Sequence, residues 1–368
     1  MDDEFDYTQD NISYIDRTTN SHEFEYYAQD YAVRRGLDYR FLRSFRDYQA
    51  AYSGSVVLDA SFLVQNQGTT VGFVYAPIER RGDALSVSIG GGYIPAPVFD
   101  DHVAEIAAFT RLDKIAREMG VEKVLLHASL ADQWGYNHLI THGYVDTSVL
   151  DSVIDLKLHK DDLWRKLRRR YRSMINKISE KNGYSIIIVD AKSPDHSLHE
   201  TYRHLHEKCS GRVTRAKDTF DIQYQMLTEG NASIFVLKKG DDVYGSIYFL
   251  HHGVDVDYMS MADDPEFSAL KLPISHVLIW AAACHFQASG FHRLRLSSPA
   301  GFSLCEGFGA YSDLKALGIA HFKHGMASDT VMYFRGNRYY NKLAAERDLR
   351  LFEAALAQQL VQVIEEPD

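Results

Sequence analysis

The sequence predicts an α/β (α+β) protein of two similar domains, each a mixed sheet with helices packed on it, and three observations lead there. The chain has 368 residues, too many for one core of ordinary size. Hydrophobic residues make up 45% and charged residues 24%, which is the balance of a globular protein and excludes a disordered or fibrous one. The third observation is internal: a run of elements in the first half recurs in the same order in the second.

Residues 1–21 hold Asp2, Asp3, Glu4, Asp6, Asp10 and Asp16 against Arg17, with little to bury, and read as a flexible acidic tail. A first domain is expected over 22–158. It opens with a helical pattern in which Tyr26, Tyr27, Tyr31, Phe41, Leu42, Phe45 and Tyr48 suit a core. Ala60–Val64 and Val71–Tyr75 then form a hairpin of half-buried strands. A strand over Leu85–Ile89, a helix over about 102–119 stopped at Gly120, and a strand over Val124–His127 follow. The second half repeats this order roughly 170 residues later, with a hairpin at 232–236 and 244–248, a strand at 256–261, a helix at about 270–288 stopped at Gly290, and a strand at 294–296. A second domain is expected over 159–345. The C-terminal helix, 346–368 as a unit and helical from about Asn341, carries Leu349, Phe352, Leu356, Leu360 and Ile364 on one stripe, expected to pack against its own domain, with a dimer contact as the alternative.

The joint between the halves is the most informative stretch. Ile154, Leu156 and Leu158 alternate with polar residues, a strand ending near Leu158. Asp161 or Asp162 then suits the N-cap of a helix in which Trp164, Leu167, Tyr171, Met174 or Ile175, and Ile178 recur at steps of three and four, up to Gly183. Arg165, Lys166, Arg168, Arg169, Arg170, Arg172 and Lys177 ride on it with no acid between Leu163 and Lys177, in a chain of formal charge −10. Such a reversal of sign attracts phosphate or another polyanion; the competing reading is a solvated face neutralised by acids elsewhere. The acidic average argues against general duplex DNA binding and leaves room for an RNA end or a nucleotide. Cys209, Cys284 and Cys305 lack metal or redox spacing, so reduced thiols and a cytoplasmic location are expected. No stretch reads as a signal peptide or as a membrane span.

These residues resemble a family. The duplicated unit resembles the GNAT acyltransferase fold, and a tandem pair joined by a basic helix resembles the FemABX aminoacyltransferases and their GNAT-like relatives, over about residues 30–345. Arg172-Ser-Met-Ile175-Asn-Lys177 with Gly183 is similar to the family's R-x-x-I-x-K…G pattern. Ser210–Arg215 with Thr219-Phe220-Asp221 is similar to the segment before its second acceptor strand, and Gly318–Lys323 resembles its closing Phe-Lys motif. The resemblance implies transfer of an aminoacyl group from charged tRNA, or of an acyl group from acyl-CoA, to an amine of a nucleotide- or lipid-linked cell-envelope or surface-polysaccharide precursor. It makes Lys323 the catalytic residue, with Phe322 beside it in the substrate site. Arg172, Lys177, Arg212 and Arg215 become holders of phosphate, since guanidinium forks match phosphate oxygens.

Acyl-CoA needs a glycine-rich turn whose N–H groups and following helix meet the pyrophosphate. The second copy has Ala262–Pro273 there, with no glycine and with Asp263, Asp264 and Glu266; the first has Gly90-Gly91-Gly92, but Tyr93, Ile94 and prolines follow rather than a helix start. Both departures favour the tRNA reading over acyl-CoA, and no tightly bound cofactor is expected. No metal is expected either, because His251 and His252 are adjacent on a strand and point to opposite faces. His321 and His324 flank Lys323 and can shuttle a proton, but no general base stands out. An acyl-CoA-dependent N-acyltransferase and a non-catalytic module binding nucleotide sugars or RNA remain the alternatives.

Overall fold

The structure, a computed structural model, describes residues 11–128, 135–178, 182–297 and 314–365. Residues 1–10 of the acidic stretch and Cys305 lie outside the described residues. The chain divides into two compact units, residues 1–149 with 303–309 and 333–368, and residues 150–302 with 310–332.

In the first unit the helix Ser21–Arg35 starts where Asn20 accepts from the Glu23 N–H at 3.3 Å and ends at Gly36, whose φ of 59° suits a residue without Cβ. The hairpin Phe62–Asn66 and Thr69–Val74 forms as expected. Ala84–Val87 runs parallel to Lys123–His127, with the helix His102–Glu118 as the crossover between them. Phe24, Tyr31, Phe62, Phe73 and Leu112 share one buried cluster.

Three boundaries differ from the sequence reading. Ile12–Asp16 is a strand rather than tail: it pairs with Phe62–Asn66, buries Ile15, and ties Asp16 to Arg111 at 2.6 Å. At the other end Arg335–Tyr339 pairs antiparallel with Lys123–His127, so residues from 333 onward complete the first unit instead of closing a domain at 345. The last helix is Lys342–Glu365, held to that unit by Lys123 with Asp348 at 2.6 Å and Arg347 with Glu122 at 2.8 Å. In all three cases the decisive partner lies far away in sequence, which local patterning does not report.

The second unit is a single mixed sheet in the order Tyr184–Val189, Ala232–Lys239, Asp242–His252, Asp255–Asp263, Arg293–Arg295, Val149–Asp155 and Asp329–Tyr333. Its first four strands are antiparallel neighbours, and Asp255–Asp263 runs parallel to Arg293–Arg295. The helices His196–Ser210 and Lys217–Thr228 cover one face, where Tyr202 stacks on Tyr248 at 5.8 Å and the Tyr248 hydroxyl donates to the Gln223 carbonyl at 2.8 Å. The crossover helix Ile274–Ala288 covers the other, with Phe286 against Phe249. Both units thus hold a hairpin and a parallel strand–helix–strand, as the internal repeat predicts. They differ in that Asp255–Asp263 joins its hairpin directly, whereas Ala84–Val87 pairs with an added strand, Pro77–Arg81.

The basic stretch is two helices, not one. Lys160–Lys166 is capped by His159, with Asp161 and Asp162 inside its first turn; Leu167 and Arg168 are extended; Arg169–Ile175 follows. The break lets the Arg168 N–H reach the Gly325 carbonyl at 3.2 Å, a partner that an unbroken helix would not accommodate. Leu167, Tyr171 and Ile175 are buried as the periodicity predicts; Trp164, Met174 and Ile178 are half-buried, and Leu163, outside the predicted stripe, is buried.

Candidate active site

The second unit's sheet is irregular along Asp255–Asp263. Along Asp255–Asp263, Tyr248 faces Ser260 and Phe249 faces Tyr258, so Met259 is an extra residue with no counterpart in the ladder, a β-bulge, a feature over-represented beside active sites. On the other edge the parallel pairing with Arg293–Arg295 ends at Asp257 opposite Arg295, while the antiparallel ladder with Val149–Asp155 runs one residue further, the Leu296 N–H donating to the Ser152 carbonyl at 2.9 Å. From Tyr258 onward the strand has no parallel partner among the described residues. Crevices beyond the C-terminal ends of parallel strands are where α/β sheets take ligands.

The bulge also sorts side chains. Tyr248 packs on Tyr202 and Phe249 on Phe286, which lie on opposite faces; Tyr258 therefore shares the face of Phe249, and Ser260 the face of Tyr248. Asp263, opposite Gly245, returns to the Tyr258 face.

Lys323 reaches Tyr258, its ammonium 5.8 Å from the ring centroid. It lies on the helix Leu314–Met326 rather than on a loop, and it is half-buried. Burial pulls its pKa below the ordinary lysine value, and the negative charge of Asp151 works against that. Phe322 points elsewhere: it is half-buried against His276 at 4.8 Å and Tyr171 at 6.1 Å, in the core beneath the helix. His321 is exposed and bonded to Arg168 at 3.1 Å; His324 is exposed.

The residues expected to hold phosphate are not gathered into one cradle. Arg215 is half-buried on the Ser260 face, donating to the Tyr202 hydroxyl at 3.3 Å and stacked over Phe220 at 4.2 Å, while Tyr202 itself meets Ser260 at 2.6 Å. Arg212 is exposed in the loop before it. Arg172 is half-buried and Lys177 exposed, and with Arg169 and Arg170 they have no ion-pair partner among the described residues; Arg165 and Lys166 do, in Asp162 and Asp329. The cationic face is therefore concentrated on Arg169–Ile175.

Asp263 escaped the sequence reading. Its Oδ1 is buried without a partner, and a Cβ on Gly245 would come within 2.6 Å of it. Burial pushes its pKa up to about 6, where a carboxylate can accept a proton and release it again near neutrality. The signal in the sequence was the pair Asp263-Asp264 at a strand end, and only one of the two is neutralised: Lys208 bridges Asp264 and Glu266 at 2.8 Å each. Asp151 was also missed. It is an acid inside the apolar run Val149–Ile154, fully buried, and paired with Arg295 at 2.8 Å.

The two possible pyrophosphate cradles look different in the fold. The Gly91 N–H donates to Glu79 at 2.6 Å, and that carboxylate is fully buried, so the turn already has its anion. The helix Ile274–Ala288 begins at Pro273 with no side-chain cap, behind the acidic loop. His251 bonds Ser233 at 2.9 Å and His252 bonds Asn231 at 3.0 Å, while Asp255 and Asp257 pair with Arg293 and Arg295; no group of metal-binding side chains occurs among the described residues. Nor is any helix among them long and apolar enough to cross a membrane.

Residues 165–301 match the family model described as acetyltransferase (GNAT) domain. The whole fold is similar to the crystal structure of FemX, at 12% identity with a TM-score of 0.63, covering 91% of this chain and 99% of that one. It is also similar to the C-terminal domain of a putative lysylphosphatidylglycerol synthetase from Agrobacterium fabrum, at 13% identity and a TM-score of 0.57, covering 93% and 96%. The L-PGS structure from Bacillus licheniformis, at 14% identity and a TM-score of 0.51, covers 75% and 83%. No curated protein matches the sequence. At such identities the likeness establishes the fold.

Proposed function

We propose that this chain, a FemX-like protein of tandem GNAT-type acyltransferase fold, moves an aminoacyl or acyl group from a carrier to an amine of a cell-envelope or surface-polysaccharide precursor, in the cytoplasm. The observation that carries the reading is Lys323, a partly desolvated cation set over Tyr258, the first residue beyond the parallel pairing with Arg293–Arg295.

Amide formation from an ester or thioester needs a neutral amine, a held carbonyl, and a positive or hydrogen-bonding group at the oxygen that becomes negative. Lys323 supplies the last. Asp263, on the same face, takes the proton that the incoming ammonium must lose, directly or through one water. The nitrogen then attacks, the C–N bond forms, the bond to the carrier breaks, and the second proton on nitrogen leaves with the carrier's hydroxyl or thiol. Arg169, Arg170, Arg172 and Lys177 offer unpaired cations to the phosphates of a nucleotide- or lipid-linked acceptor or of a tRNA end.

Two neighbours bear on the chemistry by name, FemX and a putative lysylphosphatidylglycerol synthetase, the second name joining an amino acid to a phospholipid. A second reading, transfer from acyl-CoA, is favoured by the acetyltransferase match over 165–301 and by the uncapped start of the helix Ile274–Ala288. Against it stand Asp263 and the other acids of the loop before that helix.

Incubation with charged tRNA and, separately, with acyl-CoA tests the proposal. Turnover with charged tRNA supports the first reading, turnover with acyl-CoA alone replaces it by the second, and binding without turnover of either leaves a recognition module. Lys323→Met is expected to abolish transfer, about 10²–10³ in kcat for loss of one such group, with the melting temperature nearly unchanged.

A further inference from the structure

Arg168 stands at the break between Lys160–Lys166 and Arg169–Ile175 and turns towards the helix that carries Lys323. Its backbone N–H donates to the Gly325 carbonyl at 3.2 Å, and its Nη1 donates to His321 Nδ1 at 3.1 Å. An arginine has only donors, so the imidazole nitrogen accepts in this bond. The stem lies close to Gly325, where a Cβ would meet Arg168 Cδ at 3.1 Å, and the guanidinium is 5.6 Å from the centre of the Tyr171 ring. His321 and Gly325 are about one turn apart and share a helix face; Lys323, two residues from each, projects from the opposite side. Phe322, between them, packs on Tyr171 at 6.1 Å and on His276 at 4.8 Å. The helix is thus gripped on one side by Arg168 and Tyr171, and on the other its lysine meets Tyr258.

We infer that Arg168 is a positioning residue for Lys323: it docks the helix Leu314–Met326 onto Arg169–Ile175 and so holds the ammonium over Tyr258. The inference rests on the proposed role of Lys323. The sequence groups Arg168 with Arg169, Arg170 and Arg172 as one run of cations, which would make it one more phosphate holder. Its guanidinium is instead committed to His321 and Tyr171. One residue therefore joins the segment that offers cations to phosphate and the helix that offers the lysine. An acceptor held on Arg169–Ile175 then meets Lys323 at a fixed separation, and a displacement of about 1 Å in such a site can cost about a hundredfold in rate.

Two measurements test it. In steady-state kinetics with the donor that turns over, Arg168→Ala is expected to lower kcat by about tenfold to a hundredfold and to change the acceptor KM by less than about twofold; a phosphate contact would raise KM and leave kcat. His321→Ala should give a smaller fall of the same kind, and His321→Asn, whose side-chain oxygen can accept in place of Nδ1, should recover most of it. Asparagine accepts a hydrogen bond but relays no proton, so that recovery also separates an anchoring His321 from a proton carrier. The second measurement needs no substrate: labelling of the Lys323 amine by acetic anhydride at fixed pH, followed by mass spectrometry against the exposed Lys271. Arg168→Ala should speed it about tenfold, the effect of losing one hydrogen bond from a charged donor on local opening. A raised KM with unchanged kcat, or labelling of Lys323 at the wild-type rate, overturns the inference. If Arg168→Ala does not fold, His321→Ala, a change at an exposed residue, carries both measurements. If neither donor is turned over, or Lys323→Met keeps full activity, the proposed function fails, and the labelling rates still decide on Arg168.

Discussion

Tyr258 and Ser260 stand two positions apart on one strand yet face opposite sides of the sheet, because Met259 is inserted between them. Lys323 therefore meets the strand at Tyr258 on one side, and Arg215 meets it through Tyr202 and Ser260 on the other. Side chains separated by a sheet act independently. In a double-mutant cycle, Lys323→Met and Arg215→Ala are expected to show a coupling below about 0.5 kcal/mol in kcat/KM. Arg215→Ala should chiefly lower stability, by about 1–2 kcal/mol, through its lost bond and ring contact. A coupling of several kcal/mol would place both residues in one site.

Gly325 sits against the Tyr171 ring, and a Cβ there would overlap it while meeting Arg168 Cδ at 3.1 Å. Gly325→Ala must push the Lys323 helix away from Arg169–Ile175. A loss of about 1–3 kcal/mol in denaturant unfolding is expected, with a fall in kcat larger than the change in KM. An unchanged unfolding midpoint would count against the close approach.

Asp263 couples pH to stability. Its folded pKa of about 6 lies above that of an unfolded aspartate. Below about pH 4 both states hold the proton and the group has no effect; as pH rises to about 6 the unfolded chain ionises first and the fold loses stability. Asp263→Asn should then be more stable than wild type at pH 7.5, on the order of 1–2 kcal/mol, equal to it at pH 4, and deficient in transfer. If the variant keeps full activity and the acid limb of kcat/KM near pH 6, Asp263 is not the base.

The second unit's histidines pull the other way. His199, His206, His251 and His276 are each held near a pKa of about 4 by burial. Their folded values lie below that of an unfolded histidine, so they contribute stability that is fully present above about pH 6.5 and lost as pH falls towards 4. Urea unfolding should show a lower midpoint at pH 5 than at pH 7.5. His199, 1% exposed with both ring nitrogens unpartnered, should be the largest contributor, and His199→Gln should flatten the dependence.

Arg172→Ala should weaken binding of a nucleoside diphosphate and lower by about one the slope of log affinity against log salt concentration. Arg165→Ala, which removes a cation already paired with Asp162, should leave that slope alone.

What could be read in the sequence was whatever has a local period. The hairpins, the crossover helices and the buried stripe of Leu167, Tyr171 and Ile175 were legible because alternation by two, or by three and four, records which face is covered. The first unit's last sheet strand was not: Arg335-Gly-Asn-Arg-Tyr339 carries no alternation, and its strand character comes from pairing with Lys123–His127. The break at Leu167 and Arg168 depends on a carbonyl at Gly325. Lys323 was found by resemblance, whereas Asp263 and Asp151 owe their interest to burial, which a sequence does not state.

The strand Arg335–Tyr339 has a bearing on synthesis. A ribosome delivers Lys123–His127 more than two hundred residues before the segment that hydrogen-bonds its open edge. The N-terminal unit must wait, with an unpaired edge exposed to other nascent chains, until the whole of the second unit has been made, while every strand of the second unit's sheet emerges within one contiguous span. The half made first is the half completed last.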